Sequence, residues 1–285
     1  MNLFEIGLEQ RLMNTNFCFT LAVPEAHLAA AELILEEALS VCANLEEELS
    51  EFRATSPVAR LNAARAGTAV LAPPSFRELW RLAENLNEAS EGAFNPLCKS
   101  REPGSLSFDS EGYAQKSHDG VAVSFGAIGK GYALDCVAKM LEHAGFTNFL
   151  LNAGGSSLVL SGSDADLRPW AWGWSWEKNA AGFAGAKFSH GGQKIALGIS
   201  GSEEQGAHIL GVKPVAGESP VRSALVGHPS AAHADALSTA LFVKGWSSFS
   251  ALPAALKLLP ASAVITLENK VHWNGGFQNL WGPAC

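Results

Sequence analysis

Apolar residues recur at steps of three and four along Glu25–Phe52, where Leu35, Leu39, Cys42, Leu45, Leu49 and Phe52 fall on one face. That period predicts a long amphipathic helix with Glu46, Glu47 and Glu48 on its solvated side. Before it, Phe17, Phe19, Leu21 and Val23 alternate with their neighbours and predict a strand over 12–23, ended by Pro24. Ser56-Pro57 opens a short helix through Leu61 and Asn62, with Gly67 as its stop. Pro73-Pro74 precede a helix over Ser75–Ala89. Residues 99–119 are polar and turn-rich and read as a loop. Val121–Phe125 reads as a strand and Gly129–His143 as a helix closed by Gly145. Phe149–Asn152 and Ser157–Leu160 read as strands on either side of Gly154-Gly155.

The second half begins with strand-like residues 168–200, where Trp170, Trp172, Trp174 and Trp176 recur at period two. Four indoles on one face suit either a stacking surface or the covered face of a sheet, and the covered face is the expectation. Val221–Val226 predicts a strand, Ala231–Gly245 a helix, and Ser250–Leu259 another helix. Val264–Leu267 and Lys270–Trp273 predict a terminal hairpin around Glu268-Asn269. Helices and strands are mixed rather than strictly alternating, so the expected class is α+β. No repeat or linker divides the chain, and residues 1–285 are expected to form a single domain.

Composition narrows the function classes. With 47% hydrophobic and 17% charged residues, the chain can build a substantial core. A net charge of -8 argues against non-specific binding to nucleic acid or anionic membrane. Any anionic ligand must therefore be met locally, by a metal, a helix end or a few basic side chains. The cysteines are Cys18, Cys42, Cys98, Cys136 and Cys285, an odd count without a C-x-x-C pair, so neither a disulfide framework nor a zinc ribbon is supported. The apolar run Phe17–Val23 is far short of the roughly 20 residues of a spanning helix. Glu5 and Glu9 precede Arg11, which is not the start of an export signal, so the chain as given reads as cytoplasmic. A chain trimmed of such a signal would read the same way.

Chemistry concentrates in two segments. In the first, Gly126, Gly129 and Gly131 surround Lys130 between a strand and a helix. Small residues permit close backbone approach, and a helix N-terminus with free N–H groups suits phosphate. The spacing is neither a Walker A loop nor a well-formed dinucleotide fingerprint. A phosphate site and a plain tight turn with an exposed lysine both satisfy it. In the second segment, His233–Gly245, Asp235 and Thr239 are four apart and share a helix face. A carboxylate and a hydroxyl are hard oxygen ligands, and Mg²⁺ needs few of them because it keeps waters and substrate phosphates. The alternative is a favourable first-turn acid with a packed threonine. His208 precedes an apolar pair, and histidine is the side chain best matched to proton transfer near neutral pH.

Taken in order, these segments resemble the FAD:protein FMN transferase (ApbE) family. Arg11–Thr15 resembles its M-G-T segment, Ser56–Asn62 with Gly67 its S-x-x-S-x-L-N…G, and Gly92–Pro96 its G-A-F-D-P. Gly126–Asp135 is similar to G-x-I-x-K-G-Y-A-x-D, Asn152–Gly155 to N-x-G-G, and Asp235–Gly245 to D-A-x-S-T-A-x-F-x-x-G. The resemblance implies a T-fold-related α+β fold, one FAD per chain and a Mg²⁺ at the diphosphate. It implies cleavage of FAD, release of AMP and attachment of FMN by a phosphoester bond to a threonine or serine of an acceptor protein. By position, Asp235 and Thr239 would be metal ligands, with a backbone carbonyl of the Gly126–Gly129 turn as a third. Lys130 and Asp135 would contact the nucleotide. Met13, Phe94, Gly129, Gly154 and Gly155 would line the FAD site, and His208 would assist proton transfer.

The chain departs from the family pattern at several positions. Asn14 stands for a glycine, Asn95 for an aspartate, Leu97 for a threonine, and Ser124-Phe125 for an Asp-Leu pair. The family's H-H-I-x-D-P-x-T-G appears as Ala207 to Pro214, without the first histidine and the aspartate. Two alternatives to transfer therefore accompany the resemblance: an FAD-binding carrier or sensor, and a metal-dependent FAD pyrophosphatase.

Overall fold

The structure is a computed structural model describing residues 2–179, 182–189, 192–201, 220–247, 261–266, 270–274 and 281–283, with backbone only for 175–179, 182–189, 261–266 and 281–283. Eight strands form one antiparallel sheet. In spatial order they are β1 (Leu3–Leu12), β2 (Thr15–Pro24), β6 (Phe149–Ala153), β7 (Ser157–Ser161), β10 (Ile195–Gly201), β11 (Val221–His228), β12 (Ala261–Thr266) and β13 (Val271–Trp273). Residues from both ends of the sequence thus share one hydrogen-bonded frame. The pairing of β12 with β13 is the expected terminal hairpin.

One face of this sheet carries the helices. Among the described residues they are α1 (Leu28–Leu49), α2 (Pro57–Ala63), α3 (Pro74–Ala89), α4 (Gly129–His143) and α5 (Ala231–Lys244), with a 3₁₀ turn, Glu25–His27, before α1. The period-3.6 reading of α1 holds: Leu35, Leu39, Cys42, Leu45 and Leu49 are all buried, with Ala31 and Ala38 beside them. Phe52 departs from it: it lies beyond the helix end and is 84% exposed. Helix α5 is apolar nearly all round, as suits a helix buried on several sides. It lies across β10 and β11 and packs against α4. Ser230 caps it by accepting from the His233 N–H (3.3 Å), and Gly245, at φ 75°, ends it.

The opposite face is covered around Trp170 and Trp174, which are buried against Leu158, Leu160, Leu197 and Leu225, with Trp172 packed alongside. The tryptophan stripe is therefore the covered face of a sheet; the side chain of Trp176 lies outside the described residues. Its strand, β8 (Ala171–Asn179), pairs with β9 (Gly182–Ser189), which pairs in turn with β14 (Trp281–Pro283). The expected helix Ser250–Leu259 lies outside the described residues.

The structure corrects two local expectations and adds one strand. The polar stretch 99–119 contains β4 (Leu106–Phe108) and β5 (Tyr113–Lys116), which join β3 (Val70–Leu71) in a small sheet. Leu3–Leu12 adds an edge strand, β1, in which Phe4, Ile6 and Leu8 alternate with Glu5, Gly7 and Glu9. Val121–Phe125 is not a strand. Its backbone is satisfied by side chains instead of a ladder: Asn62 donates to the Val123 carbonyl (2.8 Å) and accepts from the Val123 N–H (2.8 Å), while Ser100 Oγ accepts from the Ala122 N–H (2.9 Å).

Lys116 reinforces the same segment from a buried position, donating to the carbonyls of Asn62 (2.9 Å), Asp119 (3.2 Å) and Val121 (3.4 Å). Removing a charged donor from buried carbonyls leaves them unsatisfied. Lys116→Met is expected to lower unfolding free energy by about 2–3 kcal/mol in denaturant titration. A change within about 0.5 kcal/mol, typical of a neutral surface site, would show that the ammonium holds nothing.

Candidate active site

The openings of α4 and α5 meet, and each helix supplies a carboxylate to the other. From α4, Asp135 accepts from the α5 opening: Ala231 N–H (2.7 Å), Ala232 N–H (3.0 Å) and Ser230 Oγ (2.6 Å). From α5, Asp235 accepts at Oδ2 from the Gly131 N–H (2.8 Å) and from Ser157 Oγ (2.8 Å). Two positive helix ends side by side are thus each offset by a negative charge. Asp135, read from sequence as a nucleotide contact, has both oxygens engaged in seating α5. The Gly131 N–H, one of those expected to face a phosphate, is given to Asp235, and the Gly129 N–H goes to the Phe125 carbonyl (2.7 Å).

Asp235 is buried, and burial pushes its carboxyl up to about 7, against the opposing influence of Lys130, Ser157 and Gly131. Both bonds that the described residues give its carboxylate end on Oδ2. One turn along, Thr239 Oγ1 is 3.2 Å from Ser200 Oγ, which is itself 2.8 Å from Ser238 Oγ. Ser238 Oγ donates to the Asp235 carbonyl (2.9 Å). Around Ser230, the rings of His228 and His233 stack at 4.6 Å, and burial pushes both below the usual histidine range.

Above α4 the glycine turn is open. A Cβ at Gly126 would lie 3.6 Å from its nearest neighbour, and one at Gly129 would lie 3.8 Å away. Neither has positive φ. The protein itself has room for side chains there, and their absence leaves a bare backbone surface beside Lys130. A carboxylate also borders the turn, although Ser124 stands where the family pattern has aspartate. Glu51 Oε1 accepts from Ser124 Oγ (2.6 Å), and Lys99 bonds Oε2 (2.7 Å). The exposed Phe52 is next to Glu51, with the Lys99 ammonium 5.3 Å from its ring centre. Its place in the apolar repeat of α1 concealed this exposure.

The other expected residues fall on the same end of the sheet or beneath it. Met13 (φ 47°) and Asn14 (φ 63°) form the two-residue turn between β1 and β2. Asparagine tolerates this left-handed conformation, which accounts for Asn14 where the family pattern has glycine. Gly154 N–H donates to the Asn16 carbonyl (2.9 Å), which sets this turn beside the β6–β7 turn. Gly154 (φ 67°) fits against Thr15, where a Cβ would come within 2.1 Å of Oγ1, whereas nothing lies within 4 Å of a Cβ at Gly155. Ile199 N–H donates to the Ser156 carbonyl (2.7 Å), bringing Ser200 alongside. Phe94 is buried in the main core, and Ser124 N–H donates to the Pro96 carbonyl (2.8 Å), so this segment underlies the glycine turn. His208 lies outside the described residues.

Known proteins share this arrangement of elements. The sequence pattern of the ApbE family matches residues 13–103 and 99–261. The chain belongs to the ApbE family. Membership makes it an enzyme of the transferase class. It is 28% identical over 280 residues to the FAD:protein FMN transferase of Treponema pallidum, covering 80% of this chain and 75% of that protein. The flavin transferase ApbE of Vibrio cholerae superimposes with a TM-score of 0.82 at 18% identity, over 98% of this chain and 99% of that one. The apo flavinyl transferase ApbE of Pseudomonas stutzeri does so with a TM-score of 0.81 at 23% identity, over 100% and 99%. These two likenesses establish the fold, a mixed α/β architecture on an antiparallel sheet.

Proposed function

We propose that the chain is a Mg²⁺-dependent FAD:protein FMN transferase. It splits the diphosphate of FAD, joins FMN through a phosphoester bond to a threonine or serine of an acceptor protein, and releases AMP. The observation that carries this reading is the buried Asp235, with one oxygen held by protein donors, beside a bare glycine surface and Lys130.

The donor set suits magnesium. Among the described residues no group of three or more His, Cys, Asp or Glu side chains could hold a metal ion. A single carboxylate and a hydroxyl fit an ion that completes its shell with water and substrate phosphate. Asp235 Oδ1 and Thr239 Oγ1 would hold it, with a carbonyl of the Gly126–Gly129 turn as a third protein ligand. When bound, Mg²⁺ would offset diphosphate charge and stabilise the in-line transition state.

The protein's residues would do the rest. The bare surfaces at Gly129 and Gly155 would let FAD approach the backbone, with Gly154 and Met13 at the adjoining turns. Lys130 would meet the diphosphate. Asp135 enters this reading by seating α5, and Phe94 by supporting the glycine turn. Phe52 offers an exposed aromatic face to a planar ring of the ligand. His208 would take the proton of the acceptor hydroxyl as its oxygen bonds the FMN phosphorus and the bond to the AMP oxygen breaks.

Mass analysis after incubation with FAD, Mg²⁺ and an acceptor carrying a flavinylation motif tests this reading. The expected result is acceptor labelled with FMN and an equal amount of AMP. AMP without labelled acceptor would make the protein a pyrophosphatase, and intact FAD a carrier or sensor; the shortened motif around His208 is the feature that would explain either.

A pH dependence follows from Asp235. Metal binding needs the carboxylate, so Mg²⁺ affinity is expected to fall about tenfold per unit as pH drops below about 7, and to level off above it. The folded chain holds this proton more tightly than the unfolded chain does. Its contribution to the stability of the metal-free protein is present below 3.8 and is lost as pH rises through about 7. Melting with and without Mg²⁺ should therefore show a larger metal-induced rise at pH 8 than at pH 6. Equal rises would refute the link to Asp235.

A further inference from the structure

Among the described residues around Asp235, Ser157 is a feature that neither packing nor strand formation explains. It opens β7, a strand whose five residues are all buried and whose centre is Leu-Val-Leu. It pairs with Ala153 on β6 and with Gly198 on β10, so it sits within the sheet rather than at an edge. A small apolar residue would fill this position as well and would not need a partner. A buried hydroxyl without a partner is costly, so its bond to Asp235 decides why it can be there. That bond falls on Oδ2, the oxygen that already accepts from the Gly131 N–H.

The distribution of donors has a consequence for any cation at this carboxylate. With two donors on Oδ2, the carboxylate is fixed in rotation and can offer a cation only Oδ1. One-oxygen ligation suits Mg²⁺, which demands near-octahedral geometry with short bonds. Ca²⁺ accepts carboxylates through both oxygens and takes more ligands at longer distance. Resting on the magnesium reading above, we propose that Ser157 is a positioning and specificity residue. By occupying Oδ2 it enforces one-oxygen ligation by Asp235 and so favours Mg²⁺ over Ca²⁺. Outer partners of metal ligands typically change affinity by about 10- to 100-fold when removed, which sets the scale of the effect.

The test is direct metal binding rather than turnover. Mn²⁺ is bound to the whole protein in the presence of ADP as the diphosphate, followed by electron paramagnetic resonance, and then displaced by Mg²⁺ or by Ca²⁺. Wild type should release Mn²⁺ to Mg²⁺ at lower concentration than to Ca²⁺. In Ser157→Ala the ratio of the two displacement constants should move towards Ca²⁺ by about tenfold. Ser157→Thr, which keeps the hydroxyl, should restore the wild-type ratio. If Ser157→Ala fails to fold, Ser157→Cys carries the same comparison, because a thiol is a weaker donor of similar shape. An unchanged ratio, or equal weakening towards both cations, would overturn the proposal and leave Ser157 a packing residue. Absence of Mn²⁺ binding by wild type would instead overturn the magnesium reading itself, and this proposal with it.

Discussion

Replacing Asp235 with alanine is expected to lower metal-dependent FMN transfer by about a thousandfold or more while leaving a folded protein. The loss corresponds to about 4 kcal/mol of transition-state stabilisation, the scale on which a metal-held diphosphate works. The stability side is a balance. The carboxylate is buried and costs desolvation, which is why its pKa is pushed up to about 7. Alanine removes that cost but leaves Ser157 Oγ and the Gly131 N–H without their acceptor, at about 1–3 kcal/mol. The two effects oppose each other, so melting should shift modestly while activity collapses. Asp235→Asn keeps an oxygen acceptor of the same shape and should melt closer to wild type, yet remain inactive. The metal role is rejected if melting collapses in both variants while activity per folded molecule stays normal.

Part of that balance is local to the sequence and part is not. Helices α4 and α5 were legible because their signals are local: glycines and a serine at their openings, Gly145 and Gly245 at their ends, and apolar residues between. The pairing of Asp235 with Thr239 was legible because four residues make one helical step. From sequence, Asp235 is either a metal ligand beside Thr239 or a favourable acid in the first helical turn, and neither reading predicts its burial. The structure buries it, since α5 lies under α4 and across the sheet. The reciprocal capping by Asp135 and Asp235 joins residues about a hundred positions apart and leaves no periodic trace. The same holds for Val121–Phe125, whose partners Asn62 and Ser100 replace a strand ladder. Apolar, alternating residues predict a strand, because the side-chain donors and acceptors that replace its ladder are invisible to periodicity. Ser157 looked like an ordinary strand opening for the same reason, as its partner lies 78 residues away.

Gly131→Ala and Gly129→Ala, two positions apart, are expected to act in opposite ways, and the contrast tests how the site is built. At Gly131 an added Cβ would come within 2.2 Å of the Ala231 carbonyl oxygen and 2.7 Å of the Ala232 nitrogen. These are backbone atoms at the opening of α5 and cannot rotate away. The two helices must separate, and both cross-caps lengthen together, because Asp135 holds Ala231 and Ala232 while Asp235 holds Gly131. Overpacking of this kind costs about 1–3 kcal/mol, and each weakened buried hydrogen bond adds about 1 kcal/mol. A loss of about 3 kcal/mol or more is therefore expected in denaturant titration, with little transfer activity even in the folded fraction. At Gly129 the nearest atom to a Cβ is 3.8 Å away, an ordinary contact. Gly129 is the first residue of α4, where alanine gains less than the roughly 1 kcal/mol of a helix interior, so stability should hold or rise slightly. Its methyl group would occupy the bare surface assigned to FAD, so affinity for FAD should fall about tenfold or more, equivalent to about 1.4 kcal/mol. Equilibrium FAD binding beside denaturant titration of the two variants separates the effects. Destabilisation by Gly129→Ala, or unchanged FAD affinity in it, would mean that the glycine turn serves the fold alone.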